Sequence, residues 1–391
     1  MKTERVKTAI VGCGMISSIY IRNLKELFSI IDLRTLCSKG RASAEEKAEM
    51  FGIPSVMTLE EIAASDIELV VNLTPAPAHY GVLKQMLEAG KHVYTEKMFT
   101  TGLEESRELV DLAERKGLWI GCAPDTVLGA GVQTARYLID AGMIGDITGG
   151  TVTVCRNQNL NSEMYRFLQQ EGGAIPYDVG IYYIGALVAL LGPVKRVTGY
   201  GAPALYHRKE RLFDERNAES WTVPGHNILA GALEFTSGAL VSVHFNGNTA
   251  GEPKHIFELY GTRGALGVGD PNTFNGVNTV HLPENDPVTM PFTHGYDGVN
   301  MLEKAPFDYY GHRGIGVAET AWSIRNGRMN RLSGDYGLHC QEILQGLDES
   351  ARTGSTYEVR SSCTVRPLAP GYYSSVNGRT ERGDAEMSLM E

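Results

Sequence analysis

The sequence predicts a two-part α/β protein: a doubly wound parallel sheet, then an α+β domain built on a mainly antiparallel open sheet. Three observations carry that expectation. Short apolar runs alternate with amphipathic helical stretches through the first third of the chain, as βα units with right-handed crossovers require. A glycine turn, Gly12-Cys13-Gly14, stands between the first strand signal and the first helix signal. After about Pro124 the pattern changes to longer β-rich segments joined by tight turns. The expected division is 1–124, 125–371, and a polar, patternless C-terminal tail over 372–391.

In the first part the strand candidates are Lys7–Val11, Leu33–Cys37, Leu69–Leu73, His92–Thr95 and Trp119–Cys122. Ser43 with Glu46, Thr58 with Glu61, and Thr101 with Glu104 have the spacing of capping boxes. Gly90 and Gly117 follow helical runs and read as C-terminal stops. Beyond Pro124 a helix is expected over Val132–Ala141, stopped at Gly142. The β segments are Thr148–Arg156, Val194–Gly201, His226–Phe235, Ala239–Phe245 and His255–Tyr260, with Ser237-Gly238 as a hairpin turn. A helix over Asp178–Leu191 interrupts them. Leu282–Gly316, rich in Pro, Gly, Asn and aromatics, is a long loop that covers a pocket or runs over the surface.

Composition narrows the function. The net charge is −10 and the basic residues are not clustered, which argues against a nucleic-acid partner. No apolar run approaches the ~20 residues that span a bilayer, and the charged start MKTERVKTAIVGCG lacks a secretory h-region. A cytoplasmic protein with no membrane association is expected. The six cysteines form no CxxC pair and the ten histidines no HExxH, so neither a disulfide framework nor a metal is expected.

The glycine turn carries the first chemical signal. It lets backbone approach a pyrophosphate at a helix N-terminus, as in a Rossmann dinucleotide-binding domain, with Gly12, Gly14, Met15 and Ile16 as contacts. Ser17 replaces the usual third glycine and is small enough for close helix packing. At the end of the second strand an NAD-selective site places a carboxylate. Here the chain reads Ser38-Lys39-Gly40-Arg41. A carboxylate would repel a 2′-phosphate, whereas a hydroxyl and two cations can receive one, so the expectation for an NAD(P) cofactor leans slightly to NADP. Lys39 and Arg41 as plain solvated cations is the alternative.

Glu96-Lys97 follows a buried strand at its carboxyl end, the edge where open α/β sheets bind ligands. An ammonium there can hold a substrate hydroxyl and stabilise alkoxide character. A surface lysine is the bland reading of position alone.

Five features together resemble the Gfo/Idh/MocA oxidoreductases, the glucose–fructose oxidoreductase and inositol dehydrogenase group. They are the turn Gly12–Ser17, Leu73-Thr74-Pro75 followed by His79, the Glu96-Lys97 pair, Gly172-Gly173 leading to Asp178, and the late strands. The resemblance implies that Lys97 is the catalytic lysine beside the nicotinamide. It makes Glu96 a holder of the nicotinamide ribose, and Thr74, Pro75 and His79 part of the cofactor cleft. Asp178 would bind substrate and orient the base. Two positions depart from the family: Met98 stands where proline is usual, and Tyr182 where a histidine is usual.

Asp178 and Tyr182, four apart on a helix, can share one cleft. A tyrosine titrates at about 10, and a nearby ammonium lowers that value. Tyr182 beside Lys97 is therefore a candidate proton acceptor, with a stacking ring or a core aromatic as alternatives. Tyr183 points about 100° away and packs. His312 or His339 is an alternative imidazole. Asp125, Arg156 and Tyr165 are further candidate substrate contacts, with Arg166 and the amides Asn157, Gln158, Asn159 and Asn161 near them. The activity expected is hydride transfer between NAD(P) and a sugar, glycoside or polyol. Two other classes stay open: a glycosidase that oxidises C3 transiently and eliminates, and a non-catalytic dinucleotide sensor. A homodimer or homotetramer through the open sheet is expected, partly from the resemblance.

Overall fold

The computed structural model describes residues 4–158, 161–162, 165–203, 223–249, 251–296, 313–370 and 389. The first sheet holds β1 (Val6–Val11), β2 (Ile31–Cys37), β3 (Ser55–Val56), β4 (Leu69–Asn72), β5 (His92–Thr95) and β6 (Ile120–Cys122). Their order is β3-β2-β1-β4-β5-β6, all parallel. The five expected strands are present, displaced at their ends by one or two residues. Only the two-residue β3 lies outside the expectation, too short to leave a periodic signal. The helices between them are α1 (Ser17–Glu26), α2 (Arg41–Phe51), α3 (Leu59–Ala64), α4 (His79–Glu88) and α5 (Leu103–Lys116). Strand order reverses between β1 and β4, which opens a crevice at their carboxyl ends.

One of the three expected capping boxes forms as written. Thr58 Oγ1 accepts from the Glu61 N–H and a Glu61 carboxylate oxygen accepts from the Thr58 N–H. The other two are corrected. In α5 the cap is Gly102, and Glu105 rather than Glu104 accepts from its N–H. In α2 the cap is Gly40, and the Ser43 hydroxyl donates to the Gly40 carbonyl at 2.7 Å instead of capping. Gly117 ends α5 in the left-handed region at φ 64°, as expected of a helix stop.

The second sheet is β7 (Ile147–Cys155), β8 (Val194–Pro203), β9 (His226–Phe235), β10 (Leu240–Asn246), β11 (Lys254–Gly261), β12 (Ala265–Gly267), β13 (Thr279–His281), β14 (Val288–Thr289) and β15 (Tyr357–Glu358). Its order is β14-β13-β12-β11-β7-β10-β9-β8-β15. All pairings are antiparallel except β7 with β10. The Ser237-Gly238 turn joins β9 to β10, with Gly238 at φ 90°. Alternation of buried and exposed residues shows one covered face. Helix α6 (Ala130–Asp140), expected over Val132–Ala141, packs on α7 (Ile181–Leu191). Val152 and Val154, Leu229 and Leu233, and Val243 and Phe245 point inward; α9 (Gly334–Thr353) covers β8 and β9 and packs on α7, whose Tyr183 meets Phe257 of β11. The opposite face leaves Tyr200, Leu240 and Ile256 exposed.

Two departures position the site. The helix expected from Asp178 begins as a π-helical turn, Pro176–Gly180, before α7. Such wider turns re-aim side chains. Within the expected loop, β14 forms and α8 (Ile315–Asn326) already starts at Ile315, while 297–312 lie outside the described residues. Helix α8 packs against β5 and β6 of the first sheet. It is followed by a segment in which the Leu332 carbonyl accepts from Cys122 N–H at 2.8 Å. Buried Glu319 holds this return in place, accepting from Arg328 at 2.6 and 2.7 Å and from Arg331 at 3.0 Å.

Candidate active site

The glycine turn is shaped for close backbone approach. Gly12 sits at φ 104°, and a Cβ there would lie 2.6 Å from the Leu73 carbonyl carbon. Gly14 has nothing within 4 Å of where a Cβ would stand, so its outer side is open. Ser17 closes the turn by donating to the Gly14 carbonyl at 2.6 Å. The first turn of α1 receives no side-chain cap; the Ser17 and Ile19 N–H groups bond back to the Gly14 and Ile16 carbonyls at 3.2 Å, and the helix N-terminus as a whole carries the partial positive charge that an anion site uses. These features fit a dinucleotide pyrophosphate. Around the turn, Ser38 Oγ accepts from Ser43, Arg41 pairs with Glu45 at 2.7 Å, and Met15 and Lys39 are exposed. Lys47 of α2 donates to the Gly14 carbonyl at 3.0 Å, a cation at the turn that the sequence pattern did not single out.

Behind the crevice runs a row of buried polar groups. Thr74 Oγ1 donates to Asn72 Oδ1 at 2.7 Å, and Asn72 Nδ2 donates to Thr95 at 3.0 Å. His79 stands between the Thr74 and Met98 carbonyls, 2.7 Å from each. It is fully enclosed, and burial lowers its pKa against the pull of those carbonyls. The expectation that His79 touches the cofactor is therefore corrected. A side chain without exposure cannot meet a ligand; it ties the Thr74-Pro75 loop to the loop after Lys97. Pro75 leads into the short turn Ala76–Ala78.

Lys97 follows β5 and reaches across to the second domain. Its Nζ donates to Asp178 Oδ1 at 2.6 Å and to the Asp178 carbonyl at 2.8 Å. The other Asp178 oxygen accepts from Arg156 and, at 3.1 Å, from Gln158. Burial opposes both charges here, but the pairing outweighs it. Asp178 is held below the usual carboxylate range by Lys97 and Arg156, and Lys97 above the usual lysine range by Asp178, Tyr182 and Glu96. Glu96 accepts from Tyr20 at 2.6 Å and from the Lys97 N–H at 3.1 Å. The Lys97–Met98 peptide is cis.

The Tyr182 ring lies between two cations. Lys97 Nζ is 5.5 Å from its centroid, and the Arg313 guanidinium 5.0 Å. Arg313 Nη2 donates to the Tyr182 hydroxyl at 3.0 Å. The lowering expected for this phenol is not found. Burial raises its pKa and outweighs the two cations. The π turn and α7 do bring Asp178 and Tyr182 to one lysine, as their spacing anticipated.

The oxidoreductase family model with the NAD-binding Rossmann fold matches residues 6–122, and the family's C-terminal domain matches residues 132–267. The chain belongs to the Gfo/Idh/MocA family. Its N-terminal domain is accordingly an NAD-binding Rossmann fold. Scyllo-inositol 2-dehydrogenase (NADP(+)) of Bacillus subtilis is 29% identical over 200 residues, 50% of this chain and 55% of that protein. The chain thus spans about half the length of several curated relatives it matches. D-glucoside 3-dehydrogenase of Escherichia coli is 25% identical over 286 residues, 66% of this chain and 80% of that one. Levoglucosan dehydrogenase, in complex with NADH and L-sorbose, superposes with a TM-score of 0.77 at 19% identity, covering 92% of this chain and all of that one, a likeness of fold.

In this Gfo/Idh/MocA chain the remaining candidates separate. Asp125 is corrected as a substrate contact. It is wholly buried, and its Oδ2 accepts from the Gly314 and Gly316 N–H groups at 2.9 and 3.2 Å, at the start of α8. Tyr165 lies against Phe167 and has no described contact with the Lys97 cluster, and Arg166 is exposed. Gln158 joins the cluster; Asn157 bridges to Asn248, and Asn159 lies outside the described residues. His339 is spent on the Val194 N–H and Ser361, and burial pushes its pKa down to about 4. His312 lies outside the described residues. Tyr183 packs as expected, with its hydroxyl donating to Asp270 at 2.9 Å. Tyr20 and Arg313 were missed. Arg313 had one faint signal, its place at the end of the Pro- and Gly-rich segment. Among the described residues no group of acidic, His and Cys side chains could hold a metal, and no helix is long and apolar enough to cross a membrane.

Proposed function

We propose that the chain transfers a hydride between a nicotinamide dinucleotide and a hydroxyl or keto carbon of a sugar, glycoside or polyol. One observation supports this most: Lys97, at the carboxyl end of β5, is bonded across the crevice to Asp178. The relatives named above act on an inositol and on glucosides. The nicotinamide supplies or takes the hydride. Gly12, Gly14, Met15 and Ile16 would hold its pyrophosphate and Glu96 its ribose, while Thr74 and Pro75 would line its cleft. Lys97 and Tyr182 would handle the substrate oxygen. Asp178, fixed by Arg156 and Gln158, would keep Lys97 charged and aimed.

The cofactor leans to NADP. No carboxylate stands at Ser38-Lys39-Gly40-Arg41, and Lys39, Arg41 and Lys47 offer positive charge near the end of β2. A homodimer or homotetramer would form through the open face of the second sheet. There the register lines up Tyr200, Ala230, His244, Thr153 and Ile256 in one row across five strands. All six cysteines are free, as in a reducing, cytoplasmic setting.

The test is to follow reduced nicotinamide with a panel of sugars, glycosides and polyols and their keto forms, with each dinucleotide. Turnover with at least one pair is expected. Silence across the panel would sink the reading if titration shows no dinucleotide binding either. Aglycone release without net reduced cofactor would replace it with the transient-oxidation glycosidase. Tight dinucleotide binding without turnover would replace it with the sensor.

A further inference from the structure

We propose that Arg313 is a positioning residue that turns the Tyr182 hydroxyl proton toward the substrate, so that Tyr182 protonates a carbonyl oxygen and the site works as a reductase of keto sugars. This rests on the oxidoreductase reading above and names its substrate form.

Arginine has donors and no acceptor. In the bond at 3.0 Å from Arg313 Nη2 the Tyr182 oxygen must therefore accept. The phenol's own hydrogen has to go elsewhere, and among the described residues nothing accepts it. Tyr182 is only 6% exposed, so bulk water does not take it freely either. Lys97 repeats the pattern. Two of its three ammonium hydrogens go to Asp178, and the third has no acceptor among the described residues.

The acceptors tell the same story from the other side. Both carboxylate oxygens of Asp178 are engaged, by Lys97 and by Arg156 with Gln158. Both oxygens of Glu96 are engaged, by Tyr20 and by backbone. The cleft therefore presents unused donors around one ring, while the carboxylates that line it, Asp178 and Glu96, already accept on both oxygens; Asp125 Oδ1 accepts no hydrogen bond among the described residues but is wholly buried beside Arg313. A carbonyl oxygen, which only accepts, matches that set. A hydroxyl brings a further hydrogen, which would have to compete for acceptors that Arg313, Lys97, Arg156 and Tyr20 already occupy. Burial keeps the resting phenol protonated, in keeping with this.

The step balances as follows. The two electrons and the hydrogen that reduce the carbonyl carbon come from a reduced nicotinamide. The π pair of the C=O bond moves to oxygen. The O–H bond of Tyr182 breaks, its pair stays on the phenol oxygen, and the proton bonds to the substrate oxygen. The phenolate is left against the Arg313 guanidinium and regains a proton from solvent. Arg313 itself is held on the far side. Asn23 of α1 donates to its carbonyl at 2.8 Å, and Asp125 lies 3.7 Å from Nη1.

The experiment is a double-mutant cycle of Arg313→Met and Tyr182→Phe in the full chain, read as turnover of a keto sugar found in the panel. Each single change should lower turnover ~100-fold, and the double change should be no worse than the weaker single. Dinucleotide affinity, titrated by fluorescence, should stay within about threefold, since the glycine turn is untouched. A further loss on adding Arg313→Met to Tyr182→Phe, or no loss from Arg313→Met alone, would overturn the proposal. If Arg313→Met does not fold, Arg313→Lys keeps charge and donor and should retain most of the turnover. A second readout needs no arginine variant: ultraviolet difference titration of wild type against Tyr182→Phe. Tyr182 should show no phenolate below a pH of about 10; phenolate at neutral pH would overturn the proposal. A wild type that moves no hydride in either direction would instead remove the oxidoreductase reading itself.

Discussion

The two crevices that meet at Lys97 are made of different material. Around Gly12 and Gly14 the wall is backbone, contributed by one stretch of chain and the loop at Leu73-Thr74. Around Asp178 the wall is side chains drawn from positions 97, 156, 158, 182 and 313. The first kind is set by local dihedral freedom and needs few residues to agree. The second needs charges of both signs, each desolvated and each paired, to arrive together from both domains. The comparison teaches where damage should be confined and where it should spread.

Replacing Lys97 attacks the point they share. Lys97→Met should lower kcat/KM about 1000-fold by removing a donor to the substrate oxygen. Dinucleotide affinity, measured by titration, should change little if the backbone crevice is independent. Gly12→Ala strikes the backbone side. A Cβ 2.6 Å from the Leu73 carbonyl carbon and a positive φ should cost about 3 kcal/mol in denaturant unfolding and abolish dinucleotide binding.

Asp178→Asn strikes the charged side. It should cost about 100-fold in turnover by freeing Lys97 and Arg156. It should also change the pH dependence of stability. The folded Asp178 pKa is depressed, so its contribution is complete above the unfolded carboxylate pKa and is lost as pH falls through the folded value. Lys97 is raised, so its contribution is complete below the ordinary lysine pKa and is lost only as pH rises through the higher folded value. Unfolding midpoints of Asp178→Asn should accordingly fall less on acidification below about pH 4 than those of wild type.

Two smaller changes sharpen the contrast. Lys39→Ala with Arg41→Ala should weaken NADPH about tenfold relative to NADH, measured as a ratio of dissociation constants; an unchanged ratio would remove the lean to NADP. Thr58→Ala removes a cap remote from both crevices and should cost about 1 kcal/mol with no kinetic effect.

The same difference explains what was legible in the sequence. The strands of the first sheet, the glycine turn and Lys97 could be read because each is declared by neighbours within a few residues. Asp178 and Tyr182 were singled out by the family resemblance and placed in one cleft by their spacing, although the π turn was not legible, since no pattern marks an inserted residue. Asp125, read by position, and His79, read from the resemblance, turned out enclosed, because burial is decided by what folds over them. For Asp125 that cover comes from residues 189 and 191 positions away. Arg313 and Tyr20 were invisible for the same reason. Their roles exist only once 131 residues, in one case, and 76, in the other, have been bridged.

Helix α8 and the Leu332 segment return to cover β6 after the whole second sheet has been laid down. The dinucleotide-binding part is thus discontinuous in the chain, with the antiparallel sheet as a long insert between its last strand and the helix that closes it. A fragment cut after Pro124 would keep every glycine of the phosphate turn. It would still leave the amide of Cys122 without its carbonyl partner and expose the flank of Tyr94 and Gly121 that Gly316 and Thr320 now cover. Such a fragment would offer a bare strand edge for self-association, so the cofactor-binding half is better excised by joining its two ends than by truncation.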